Sequence, residues 1–257
     1  MGKIFPYKIL QATTLLFAAA VLTAPTVFLK LADVYSGNAE VLLLYIVFFI
    51  FAYLIWVIVN RKKRNSIDLG VNSNFSSLGL LLLCILSIQA GIILPLSFLT
   101  EQLIGFKHPS PQDRLSLYTL SSAVIIGPAI EEIVFRGIIL KGFLSNYPVK
   151  KAIVYSSILF ALVHGNPVNI AIAFIIGSFL SIVYAAKRNI MLSILLHSSI
   201  NLSTLLIKQL VLGDGDRQND SLAFYGGPTW IVVLIALAVS SLCFSKLKQT
   251  IDFLVLK

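Results

Sequence analysis

Eight stretches of mostly apolar residues recur along the chain, and no other feature limits its possible folds so strongly. A helix needs about 20 apolar residues to cross the hydrocarbon layer of a membrane. In lipid only helices or closed barrels satisfy every backbone hydrogen bond, and runs of this length favour helices. We therefore predict an all-α fold, a polytopic membrane helix bundle with about eight transmembrane helices. The predicted spans cover residues 8–30, 39–60, 78–100, 118–143, 151–165, 168–186, 190–212 and 229–246.

The composition supports lipid as the main solvent. Of 257 residues, 58% are hydrophobic and 12% are charged, whereas a soluble domain has about a quarter charged residues. So much apolar side chain cannot be hidden inside a water-facing globule of this size. No long polar stretch could form a second domain, so residues 1–257 are predicted to be a single transmembrane domain.

The net charge of +9 is attributed to topology rather than to nucleic acid, which we do not expect as a partner. The basic residues cluster at the ends of apolar runs, as the positive-inside rule produces, and they face a lipid bilayer with anionic headgroups. With both termini placed in the cytoplasm, fourteen lysines and arginines lie inside and four lie outside. The short loops favour a multi-pass protein of a bacterial plasma membrane. Cys84 and Cys243 lie within apolar runs, which argues against a disulfide framework.

The fourth run carries three charged residues, although each costs about 2.5–3.5 kcal/mol at the centre of a membrane. Glu132 and Arg136 are four residues apart and are predicted to form an ion pair on one helix face. Glu131 is rotated by about 100° from Glu132 and has no partner nearby in the sequence. A buried carboxylate in that position is a candidate general base.

Two further runs carry polar residues at a similar depth. His164 ends the fifth run, and His197 and Asn201 lie four apart on the seventh. Each alone is more typical of a structural hydrogen bond between helices. At about 1.5 Å per residue, however, Glu131 lies about 15 Å and His197 about 14 Å from the nearest cytoplasmic basic residue. The shared depth predicts that three helices contribute to one water-accessible cavity.

Three motifs in these runs resemble those of the CAAX protease and bacteriocin-processing (CPBP/Abi) family of intramembrane endopeptidases, related to the type II CAAX prenyl endopeptidases. Residues 131–137 (EEIVFRG) match EExxxR with its FRG continuation. Residues 160–164 (FALVH) match FxxxH, and residues 197–201 (HSSIN) match HxxxN/B. EExxxR alone is a weak pattern, but the three in order define a catalytic core over about residues 118–205. The first three runs and the last carry no matching motif.

The resemblance implies a conical polar cavity in the core of the bundle and a role for each motif residue. Glu131 and His164 would activate a water molecule, and His197 and Asn201 would stabilise the oxyanion. Glu132, Arg136 and Phe160 would support the site. No cofactor is expected. The residues themselves leave zinc open, with Glu131, His164 and His197 as ligands, although the HExxH motif is absent.

The resemblance also implies the partner, a peptide or membrane-protein substrate, and bacterial roles in bacteriocin immunity or peptide maturation. Two alternatives stay open at this point. One is a transporter whose polar residues bind an ion at the membrane midplane, although no inverted repeat is visible. The other is a catalytically idle immunity protein, against which the presence of every motif residue argues.

Overall fold

The fold is described from a computed structural model, which covers residues 4–31, 38–61, 78–96, 120–165, 167–212 and 229–255. These residues form eight helical segments and no strand, so the all-α prediction is confirmed for the described part of the chain. The helices are α1 (Ile9–Leu31), α2 (Asn38–Asn60), α3 (Leu78–Leu96), α4 (residues 121–144), α5 (Val149–Leu162), α6 (Pro167–Lys187), α7 (Ile190–Leu212) and α8 (Thr229–Val255).

Three of the described helices, α3, α6 and part of α7 (Ile190–Ile207), are long and apolar enough to cross a membrane. Outward faces are apolar as well: Leu86 on α3 is 55% exposed and Leu234 on α8 is 64% exposed. Large exposed aliphatic side chains of this kind suit contact with lipid tails. Membrane crossing by the remaining helices, and the conical cavity, stay predictions. So does the orientation, because the arrangement of the helices alone does not show which face is cytoplasmic.

Helix α4, which carries the charged residues, is not a regular α-helix. A π-helical stretch at Ser121–Ile126 and another at Ile133–Leu140 flank a short α-helical segment, Gly127–Glu132. The sequence predicted a kink at Gly127-Pro128. The structure places Pro128 inside α4, directly after the first π-helical stretch, and the kink itself stays a prediction.

The fifth predicted span ends earlier than expected. Helix α5 has 14 residues and ends at Leu162, so His164 lies in the turn that follows rather than in the last helical turn. Gly165 adopts φ +84° in that turn, a conformation that favours glycine. Pro167 then begins α6. The helix therefore ends before His164, and the Gly-Asn-Pro sequence at 165–167 lies between this histidine and the rest of α6.

Two apolar clusters hold the helices together, and α6 contributes to both. The first joins α1, α2, α4, α5, α6 and the start of α7. The second joins α3, α6, α7 and α8. In the second cluster Cys84 of α3 and Cys243 of α8 are buried free cysteines. The charged residues of α4 therefore lie near helices of both clusters.

Candidate active site

The candidate site is built on a buried ion pair within α4. Arg136 Nη1 donates to Glu132 Oε1 at 2.7 Å, and both side chains are fully buried, which confirms the pair predicted from the i,i+4 spacing. Arg136 Nη2 also donates to the backbone carbonyl of Gly177 at 3.1 Å. The guanidinium therefore ties α4 to α6 while its charge is compensated by Glu132.

His197 of α7 lies between the two glutamates of α4. Its Nδ1 is 2.9 Å from Glu132 Oε1, and its Nε2 is 3.8 Å from Glu131 Oε2. The first distance is that of a charge-assisted hydrogen bond. The second is too long for one. Glu132 thus orients the imidazole, and Nε2 is directed toward Glu131 across a gap.

The ring of Phe160 links the two histidines. It lies 4.6 Å from the ring of His164 and 5.9 Å from that of His197, between ring centroids. The Arg136 guanidinium lies 4.5 Å from the centroid of the same ring, close enough for a cation–π contact. Three groups of the candidate site therefore pack on a single aromatic side chain, which the FxxxH motif indicated only as a supporting residue.

His164 is held by its own backbone turn. Its Nδ1 is 2.7 Å from the carbonyl oxygen of Phe160, and a carbonyl can only accept, so Nδ1 carries the proton. The proton-accepting atom of the neutral ring is then Nε2. The side chain is half-buried, which leaves it accessible to a reactant.

Asn201 lies one turn from His197 on α7 and bonds to α4 rather than to the other motif residues. Its Nδ2 donates to the carbonyl of Ala123 at 2.7 Å, within the first π-helical stretch. A carboxamide has two N–H donors, and this bond uses one of them. The bond fixes the side chain at the start of α4, which the motif did not predict.

Two residues at the site were not identified from the sequence. Gln89 of α3 is 1% exposed, and its Nε2 donates to the carbonyl of Ile200 at 2.9 Å, beside Asn201. Its signal was available, since it is the one amide in the third apolar run. Gly177 holds Arg136 through its backbone carbonyl, an interaction that no side-chain pattern can indicate.

The described residues contain no group of three or more His, Cys, Asp or Glu side chains arranged to hold a metal ion. The alternative zinc ligands Glu131, His164 and His197 are therefore not preassembled as a metal site in this arrangement. Whether the protein works without a cofactor stays a prediction.

Comparison with known families agrees with the resemblance seen in the motifs. The family described as type II CAAX prenyl endopeptidase Rce1-like matches residues 113–203, close to the predicted catalytic core of 118–205. All seven motif residues named above lie within the match. No curated protein and no solved structure matches the chain significantly.

Proposed function

We propose that the chain is an intramembrane endopeptidase of the glutamate type. The proposal starts from the match of residues 113–203 to the type II CAAX prenyl endopeptidase Rce1-like family, in a chain that is an integral membrane protein. The family match implies a peptide hydrolase. The finer assignment rests on one observation: His197 is held at 2.9 Å by Glu132 while its other nitrogen faces Glu131 at 3.8 Å. A purely structural role for His197 would need only its contact with Glu132, and the second contact, with Glu131, therefore supports a catalytic role.

In the proposed reaction, Glu131 and His164 activate a water molecule. Glu131 accepts a proton from the water as its oxygen bonds to the scissile carbonyl carbon, and the Nε2 atom of His164 orients the water. The carbonyl oxygen becomes the oxyanion. Collapse of the tetrahedral intermediate breaks the C–N bond, and Glu131 returns the proton to the leaving amine.

His197 and Asn201 are proposed to stabilise the oxyanion. To donate from Nε2 while Nδ1 donates to Glu132, the ring of His197 must hold both protons. The contact from Nε2 to Glu131 is 3.8 Å, longer than a hydrogen bond, and we propose that this nitrogen donates to a substrate oxygen. Donors fixed before the reaction stabilise developing charge without reorganisation.

The proposed substrate is the C-terminal tail or a juxtamembrane segment of a membrane-associated peptide, entering from the cytoplasmic side. Residues of the site are proposed to act without a metal. For a bacterial chain, maturation of a small peptide or immunity to a bacteriocin fits such an activity.

The test uses the purified protein in lipid nanodiscs and a quenched fluorescent peptide ending in a farnesylated CAAX tail, with the unprenylated peptide beside it. We expect wild type to release the C-terminal fragment and Glu131→Gln and His164→Ala to abolish release. Ser199→Ala is the matched control, since its hydroxyl donates within α7 to the carbonyl of Leu195. Cleavage retained by both site variants would refute the glutamate mechanism.

An unbiased search for the natural substrate compares C-terminal peptides from cells that express wild type with those from cells that express Glu131→Gln. Peptides present only with wild type identify the cleavage site. The transporter would be favoured by a different result: proteoliposomes show a flux of protons or ions that depends on Glu131, and neither assay shows release of a peptide.

A further inference from the structure

Gly177 of α6 lies outside all three motifs, yet it touches the candidate site in two ways. A Cβ atom added at this position would lie 2.8 Å from Cδ1 of Phe160, and 3.5 and 3.6 Å from Cγ and Cε1 of the same ring. Carbon atoms in contact are normally about 3.5–4.0 Å apart. The phenyl ring therefore lies directly on the backbone of Gly177, in space that any other residue would fill.

The second contact is the carbonyl of Gly177, which accepts the hydrogen bond from Arg136 Nη2 at 3.1 Å. The guanidinium that donates this bond also lies over the Phe160 ring. One backbone position therefore fixes both the ring on which the two histidines pack and the cation that orients Glu132, the partner of His197.

We propose that Gly177 is a positioning residue that sets the placement of His164 relative to His197. It acts through Phe160, which contacts both imidazoles, and through Arg136, which reaches His197 by way of Glu132. The inference rests on the proposed function only for its effect on cleavage. Its effect on the histidine side chains can be measured without any substrate.

The expected consequence of Gly177→Ala is displacement of the Phe160 ring. The methyl group meets ring atoms rather than the end of a flexible chain, so the ring must tilt or α6 must move away from α5. Either movement shifts the two imidazoles, and a misplacement of about 1 Å can cost about 100-fold in rate. We expect kcat for the farnesylated peptide to fall about 10- to 100-fold, with little change in KM.

The direct measurement is NMR of the protein in nanodiscs with isotope-labelled histidine. The chain has three histidines, so each signal can be assigned by replacing one histidine at a time. In Gly177→Ala we expect the ring signals of both His164 and His197 to shift, because the ring current of Phe160 acts on both. The control is Gly79→Ala on α3, where the added Cβ meets no atom within 4 Å, and it should leave all three signals and the activity unchanged.

A double-mutant cycle covers the case in which Gly177→Ala does not fold. If the methyl group clashes only with Phe160, then adding Gly177→Ala to a Phe160→Ala protein costs no further stability, and the double variant folds as well as Phe160→Ala alone. Unshifted histidine signals in folded Gly177→Ala would overturn the proposal. The proposal would also be overturned if Gly177→Ala lowered thermal stability equally in wild type and in Phe160→Ala. If wild type releases no fragment from the peptide, the proposed function is refuted. The histidine signals would still test the role of Gly177.

Discussion

At the residue scale, a fully buried arginine organises the candidate site. Arg136 is compensated by Glu132, bonds to the carbonyl of Gly177 and lies over Phe160. These three partners come from three helices or their turns. A planar guanidinium with several fixed donors can serve them together, which a lysine ammonium cannot.

The spacing of Glu132 and Arg136 was enough to predict their ion pair, because residues four apart on a helix are neighbours. The same reasoning left Glu131 without a partner nearby in the sequence, and the structure supplies one from α7, His197, 66 positions along the chain. Distances between helices depend on packing and not on spacing within one run. The depth argument predicted a common layer but could not say which atoms meet.

Removal of the buried cation should destabilise the protein strongly. In Arg136→Met the carboxylate of Glu132 stays buried without its cation, and breaking such a pair costs about 3–5 kcal/mol. Thermal unfolding in detergent should show a large loss, whereas Lys141→Met, half-buried at the end of the same helix, should change stability by less than about 0.5 kcal/mol. Adding Glu132→Gln to Arg136→Met should recover part of the loss. Equal stability of Arg136→Met and Lys141→Met would contradict the pairing.

A second residue-scale prediction separates the two roles open to Asn201. If it donates to the oxyanion, Asn201→Ala lowers kcat about 100- to 1000-fold at unchanged KM. If it only links α7 to Ala123, the change costs about 0.5–1.5 kcal/mol of stability while folded molecules cleave at the normal rate. Cleavage of the fluorescent peptide, normalised to folded protein, distinguishes them. We expect the first result.

At the element scale, the approximate positions of the helices could be predicted and their irregularities only in part. Each of the eight segments overlaps a predicted apolar run, because chain hydropathy is a local property, although α5 ends three residues early and α8 continues nine residues past its predicted end. The first π-helical stretch of α4 is followed by Gly127-Pro128, a local signal of irregularity, whereas the second, Ile133–Leu140, has no such signal. The carbonyl of Ala123 lies in one of them and accepts from Asn201 of α7, so the geometry of α4 depends on a partner elsewhere in the chain.

Close packing of α3 against α8 gives an element-scale prediction. A Cβ added at Gly91 would lie 2.9 Å from the backbone nitrogen of Leu237, and backbone cannot move aside as a side chain can. Gly91→Ala should therefore lower stability by about 1–3 kcal/mol, whereas Gly79→Ala on the same helix should be neutral or slightly stabilising. Thermal unfolding of both variants measures the difference. A neutral Gly91→Ala would mean that the two helices are further apart.

The same pair of helices carries the two native cysteines, which offer a test in intact membranes. Since Cys84 and Cys243 belong to one buried cluster that joins α3 to α8, we expect oxidation with copper–phenanthroline to link the two helices by a disulfide within one chain. Mass spectrometry of digested protein detects the linked peptides, and Cys84→Ala is the control. If both thiols of the oxidised wild type still react with maleimide after unfolding, then Cys84 and Cys243 do not come close enough to form a disulfide.

At the scale of the whole molecule, the outward surface is apolar and the charged residues of the site are enclosed. This arrangement follows from lipid as the solvent, which composition alone predicted. Orientation in the membrane was predicted from the fourteen-to-four distribution of lysine and arginine, and it stays a prediction.

Orientation can be tested with single cysteines in a chain freed of Cys84 and Cys243. A cysteine at Ser145, exposed in the turn after α4, should react with a membrane-impermeant maleimide only from the cytoplasmic face. A cysteine at Asp216 should react only from the opposite face. Labelling of both from the same side would refute the predicted topology.

The shortness of α5 has a consequence for the surrounding bilayer. Its 14 residues rise about 21 Å, less than the roughly 30 Å of an average hydrocarbon layer. If α5 starts at the headgroups beside Lys150 and Lys151, the turn bearing His164 stops about 9 Å short of the far headgroups. Irregular backbone at that depth needs water or protein around it, so lipids beside α5 should compress to meet it. Hydrolysis would then run faster in bilayers of short acyl chains than in thick ones, which makes membrane thickness a determinant of this protein's activity.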